Sequence, residues 1–248
     1  GEKWGVGGWW VGLGGRVGLV PGASRGIGGV SLGELAGEGM DICMVARDEV
    51  KMREGAAGLS NAWVQTHVHT ADLRTPRAGD KAVAAAIAAF GRLDLIVNNA
   101  GATKRADFFD LTEEDWQDGC ALKFHGYVRM TRAAWPHLRA SQGSVVTIFG
   151  IGSRAGAAEF TIGGSVNVAI LNYTKAMADI GVEHGVRVNA INPGLIDTDR
   201  FTRNVERTML DQSMTREDAV KHLLVSHTTK RVGRPDEIGP LPGFLASA

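Results

Sequence analysis

Six short apolar runs recur along this chain, at residues 16–20, 40–47, 63–70, 93–101, 143–150 and 186–194, separated by stretches long enough for a helix. No other feature constrains the fold as much. A strand followed by a helix-length connection returns parallel to itself, with a right-handed crossover, so each run adds one strand to a single parallel sheet. Such a sheet is covered by helices on both faces. The run at 40–47 reads as a buried strand, whereas 63–70 alternates. The expected fold is α/β, a doubly wound parallel sheet with its ligand beyond the carboxyl ends of the strands. A length of 248 residues permits one or two domains. No linker or internal repeat divides the chain, so residues 15–248 are read as one domain and residues 1–14, which have no clear period, as a loose leader.

Composition excludes several classes of function. Lys+Arg 27 balance Asp+Glu 27, so no bulk charge favours nucleic acid or an anionic membrane. No apolar run is long enough to span a bilayer and no signal-peptide pattern is present, which leads to a cytoplasmic expectation. The two cysteines, Cys43 and Cys120, lie in apolar-periodic segments and are expected as buried, reduced thiols. Glycine is in excess, 34 residues against a usual share of roughly 7%. Several fall in helical stretches, where each costs roughly 0.5–1 kcal/mol relative to alanine. One account of this excess is that some glycines stand for side chains lost when the sequence was assigned.

The chemistry begins at "PGASRGIGG" (21–29), between the first strand and the first helix. Gly22, Gly26 and Gly28 allow a tight turn and close backbone approach, and the helix start presents free N–H groups to a pyrophosphate. Ser24, Arg25 and Ile27 complete this loop. A plain strand-to-helix turn is the alternative, weakened by the βαβ context. Ala46 ends the second strand, where an acidic residue would hold the 2′-hydroxyl of NAD; Arg25 and Arg47 instead suit a 2′-phosphate. NADP(H) is therefore expected over NAD(H).

The glycine spacing G-x-x-x-G-x-G, with "NNAG" at 98–101 and "NPG" at 192–194, resembles the short-chain dehydrogenase/reductase family over about residues 15–247. That resemblance implies a Rossmann-like fold and carbonyl/alcohol interconversion on a small molecule, in a homodimer or homotetramer. By the same resemblance, Asp72 and Leu73 lie at the adenine, Asn99, Ala100 and Gly101 line the cofactor cleft, and Pro193, Gly194 and Thr198 lie near the nicotinamide. Pro21 departs from the pattern, replacing a threonine and removing a loop-bracing bond.

The family's usual tyrosine, lysine, serine and asparagine are all missing. Anchored on "TKAMA" (174–178) and "GSVVTI" (143–148), their positions fall on Gly163, Asn167, Gly150 and Lys123 respectively. The only tyrosines, Tyr127 and Tyr173, have no lysine four residues later. Lysine and asparagine have exchanged places, so the Lys123 ammonium is expected in the hole left by the family lysine, with Asn167 as its partner and a pKa lowered by desolvation. Coincidence with a surface lysine is the alternative. Ser153 could supply a hydroxyl, and the small residues at 150 and 163 would open space above the nicotinamide. His125 is expected on another side of its helix from Lys123. His67 and His69 share a strand face without a third ligand and are not read as a metal site.

The final strand that follows a "DGG"-like turn in the family is not expected here, which would weaken a common tetramer contact. Pro240 and Pro242 look poor for the last helix. The reading is an NADP(H)-dependent oxidoreductase with a non-standard active site; the alternative is an inactive nucleotide-binding relative acting as a sensor or partner subunit.

Overall fold

A computed structural model describes residues 12–59 and 63–247. Strands β1 (Val17–Pro21), β2 (Asp41–Ala46), β3 (Thr66–Thr70), β4 (Leu95–Asn98), β5 (Ser144–Ile148) and β6 (Arg187–Ile191) form one sheet in the order β3-β2-β1-β4-β5-β6. Every pairing is parallel. Strand order reverses between β1 and β4. A crevice forms at such a switch point, beyond the strand ends, because neighbouring connections leave to opposite faces.

The connections are α1 (Gly26–Gly37), α2 (Glu49–Leu59), α3 (Ala78–Phe90), α4 (Glu113–Gly119), α5 (Gly126–Ser141) and α6 (Thr161–His184). One face of the sheet buries Leu32 and Leu35 of α1 and Met52 of α2 against Met44, Val97 and Val146. The other buries Val83 and Ala86 of α3 and Met130 and Leu138 of α5 against Leu19, Ile96 and Val145. The alanine-rich sequence of α3 has a packing reason. A Cβ on Gly79 would lie 2.7 Å from the Arg129 carbonyl oxygen, so α3 and α5 approach backbone to backbone.

Helix α6 begins at Thr161, with Gly163 and Gly164 in its first turn. The long stretch after Thr112 is interrupted: the Thr112–Asp115 capping box starts α4, a π-helical turn spans Cys120–His125, and α5 follows. The last helices are α7 (Asp199–Gln212), α8 (Arg216–Ser226) and α9 (Leu241–Ala246). Pro240 and Pro242 sit at the start of α9, where a helix needs no N–H from them. Leu13 is fully buried in the core, so packing begins ahead of residue 15; the rest of the proposed leader, residues 1–11, lies outside the described residues. Cys43 is buried as expected, but Cys120 is only half-buried. Among the described residues β6 has no strand on its outer side.

Candidate active site

The turn after β1 has the backbone a phosphate cradle requires. Gly22 and Gly26 adopt φ values of +75° and +59°, which side chains other than glycine rarely tolerate. A Cβ on Gly22 would lie 2.7 Å from Ala100 Cα, and one on Gly28 would lie 2.4 Å from Asn99 Nδ2. Asn99 Nδ2 in turn donates to the Gly22 carbonyl at 3.2 Å, tying the loop after β4 to the glycine turn. No side chain caps the start of α1, so its first N–H groups are left for an anion. The N–H that Pro21 lacks is followed by the Gly22 N–H, which donates to Val45 O at 2.8 Å and holds the loop to β2. These features fit a dinucleotide's pyrophosphate.

Past β3, the Asp72 carboxylate accepts from Arg74 N at 3.0 Å and pairs with the Arg74 guanidinium at 3.3 Å, while Leu73 is buried. Arg25 and Arg47 are exposed. Arg25 pairs with Asp199 at 3.8 Å and also helps hold the Asp48 carboxyl below its usual value, after the Lys51 N–H bond. It therefore stands close to the end of β2, where Arg47 lies. At the far end, Pro193 O accepts from Ile151 N at 3.1 Å, Gly194 faces open space, and Thr198 begins α7 beside Gly26.

Lys123 and Asn167 meet. Lys123 Nζ donates to Asn167 Oδ1 at 2.6 Å, with Lys123 4% exposed and Asn167 fully buried. Asn167 Nδ2 donates onward to the Gly150 carbonyl at 3.2 Å. Ammonium is a donor only, so the amide must present its oxygen to Lys123 and its nitrogen to Gly150. The lysine reaches this point from the π-helical turn, and its stem lies on Gly101, where a Cβ would approach Lys123 Cδ to 2.9 Å. Desolvation, and then the positive charge of Arg200, lower the Lys123 pKa from 10.5 to about 7. No carboxylate bonds this amine among the described residues. His125 is exposed, away from Lys123.

The expected opening at 163 is absent. The Phe160 ring lies where a side chain on Gly163 would project: a Cβ there would be 2.0 Å from the ring. The same ring backs Gly152, with a 2.8 Å approach. A tyrosine at 163 would have to displace Phe160. Gly150 is different, since a Cβ there would meet only Asn167 Nδ2, at 3.6 Å, so its side of the pocket is open. Ser153 is buried and its Oγ accepts from Asn192 Nδ2 at 3.2 Å, leaving its own proton free to donate. Tyr127 is buried with its hydroxyl donating to Ile148 O, a structural bond. His67 packs edge-on against Phe90.

Phe160 also carries charge on its ring. Arg105 Cζ lies 4.0 Å from the ring centroid and Arg200 Cζ lies 5.8 Å from it. Sequence reasoning passed over all three residues. Their sole sequence signal is type, and residues 105, 160 and 200 are brought together only by the crossovers.

Residues 16–208 match the short chain dehydrogenase family. An acetoacetyl-CoA reductase from Shinella zoogloeoides is 31% identical over 233 residues, covering 94% of this chain and 91% of the relative. The structure of L-sorbose reductase from Gluconobacter frateurii, complexed with NADPH and L-sorbose, superposes with a TM-score of 0.89 at 28% identity, covering 96% of this chain and 92% of that one. An NAD+-bound xylitol dehydrogenase shares the fold with a TM-score of 0.87 at 23% identity, over 94% of this chain and 92% of its own. With its parallel sheet, glycine turn and cleft motifs, the chain belongs to the short-chain dehydrogenase/reductase family.

Proposed function

We propose that this protein is an NADP(H)-dependent oxidoreductase that interconverts a small carbonyl compound and its alcohol, with Lys123 as its acid-base group. When bound, the nicotinamide supplies the hydride. Gly22, Gly26, Gly28 and the start of α1 would hold the pyrophosphate, Asp72 and Leu73 would flank the adenine, and Gly101, Gly194 and Thr198 would line the nicotinamide end. Arg25, paired only at the surface with Asp199, is free to turn to a 2′-phosphate, with Arg47 beside it.

The observation that carries the reading is the buried bond from Lys123 Nζ to Asn167 Oδ1. An acid with a pKa of about 7 is half-protonated near neutral pH, which is where a general acid works best. Lys123 would give its proton to the carbonyl oxygen during reduction and recover it in the reverse direction. Before transfer, an ammonium screened from water also stabilises developing negative charge. Asn167 fixes its position, and Ser153 would hold the carbonyl oxygen from the side that Gly150 leaves open. The enzyme is proposed to work in the cytoplasm as a homodimer or homotetramer; no helix among the described residues is long and apolar enough to cross a membrane.

A second reading is favoured by Phe160. Its ring occupies the space above Gly163, which suits a nucleotide-binding relative without catalysis. NADPH oxidation with a panel of ketones separates the two. The proposed enzyme turns over at least one ketone, and Lys123→Met lowers kcat about 100-fold or more, the usual share of a general acid. Tight NADPH binding with no turnover on any ketone overturns the proposed reaction and leaves the binding protein.

A further inference from the structure

Arg105 and Arg200 stand side by side at the Phe160 ring, and among the described residues neither has an ion pair with a carboxylate. A third guanidinium, Arg207, lies alongside. Its Nη1 donates to the Arg105 carbonyl at 2.7 Å, and it pairs with Glu159 at 3.6 Å and with Asp211 at 3.2 Å. Glu159 and Asp211 thus form their ion pairs with Arg207. Partial burial and the like charges of Arg200 and Arg207 push Arg105 below its usual pKa, with Glu159 opposing. The Phe160 ring also backs Gly152, where a Cβ would meet Asn167 Nδ2 at 3.5 Å, so the cluster borders the Lys123–Asn167 pair; the charge of Arg200, after desolvation, helps lower the Lys123 pKa. In a chain whose formal charges sum to zero, two guanidinium groups without an ion-pair partner beside one ring mark a local demand for negative charge.

We infer that Arg105 and Arg200 bind an anionic group of the substrate, a carboxylate or phosphate, so that the preferred carbonyl compounds are acids rather than neutral ketones. The inference rests on the proposed oxidoreductase reading and names the substrate class of that same site. Guanidinium forks match the paired oxygens of either anion. The Phe160 ring helps hold them by cation–π attraction, with Arg105 Cζ 4.0 Å and Arg200 Cζ 5.8 Å from its centroid. The aromatic ring that fills the family's tyrosine position thereby becomes part of substrate recognition.

The test is binding to the NADPH-saturated protein, by calorimetry, of 3-hydroxybutyrate, glycerol 3-phosphate, methyl 3-hydroxybutyrate and glycerol. The expected result is that at least one anion binds about tenfold or more tighter than its neutral counterpart, the scale of a charge-assisted hydrogen bond. Which anion wins separates a carboxylate substrate from a phosphorylated one. In Arg105→Met/Arg200→Met the preference should fall toward unity, and in Arg105→Lys/Arg200→Lys it should be partly restored, with NADPH affinity unchanged in both. Equal binding of anion and neutral compound, a preference that survives the double Met variant, or no binding by any of the four at tens of millimolar overturns the inference. So does loss of NADPH affinity in the double variant, which would assign these arginines to the cofactor. Anion preference without turnover keeps the anion site and removes the proposed reaction. Turnover of acetoacetate and its methyl ester at equal kcat/KM keeps the reaction and removes the anion site.

Discussion

Replacing Lys123 with Met should reveal its buried charge in the pH dependence of stability. Lys123 titrates near 10.5 in the unfolded chain and near 7 in the folded one. Below pH 7 both states carry the proton, so the stability difference between the wild type and Lys123→Met is flat. Between about pH 7 and 10.5 the unfolded state binds more protons, and wild-type stability rises relative to the variant by roughly 1.4 kcal/mol per pH unit. The full shift corresponds to roughly 5 kcal/mol, the cost of keeping the ammonium in this pocket at acid pH. The variant also leaves Asn167 Oδ1 without its donor, a pH-independent loss of about 1–3 kcal/mol that offsets the relief. Urea denaturation of both proteins at pH 6, 7, 8 and 9 isolates the charge, because other titrating groups cancel in the difference. The wild type should gain about 2 kcal/mol on the variant from pH 7 to 9, because the folded-state amine is itself half titrated at pH 7. A difference that stays constant across this range would mean that the amine is solvated, and the argument from its burial would fail.

Other consequences can be measured separately. Gly163→Ala drives a Cβ into the Phe160 ring and should cost about 1–3 kcal/mol in chemical denaturation, less in a Phe160→Leu background. Gly22→Ala combines a positive φ with a close approach to Ala100, so NADPH titration should show affinity weakened about tenfold or more. Arg25→Ala should weaken NADPH about tenfold and leave NADH unchanged; equal loss of both would place Arg25 away from the 2′-phosphate.

The sheet and the glycine turn were legible because they rest on local spacing. An apolar run, a glycine cluster and a helix start lie within a few residues, and the order of runs then dictates parallel pairing. The Lys123–Asn167 contact was legible for another reason: the resemblance put a lysine and an amide at two positions expected to face each other. Its surroundings were not. Gly163 reads as space opened above the nicotinamide, yet in the first turn of α6 the Phe160 ring lies where its side chain would project. Glycine at 163 therefore does not enlarge the pocket; the ring packs into it. The π-helical turn that delivers Lys123 leaves no mark in periodicity. The guanidinium cluster joins residues 105, 200 and 207, which no window of sequence unites. Residues near Pro240 misled through position, since proline disrupts a helix interior but suits its first turn.

The account turns on Lys123 moving the proton, and rates in both directions against pH test it most directly. For carbonyl reduction, kcat/KM should fall as pH rises through about 7, where the amine loses its proton; for alcohol oxidation it should rise through the same range. Lys123→Met should lose both limbs together with most of the rate. Full turnover in that variant, with the limbs unmoved, would contradict the account.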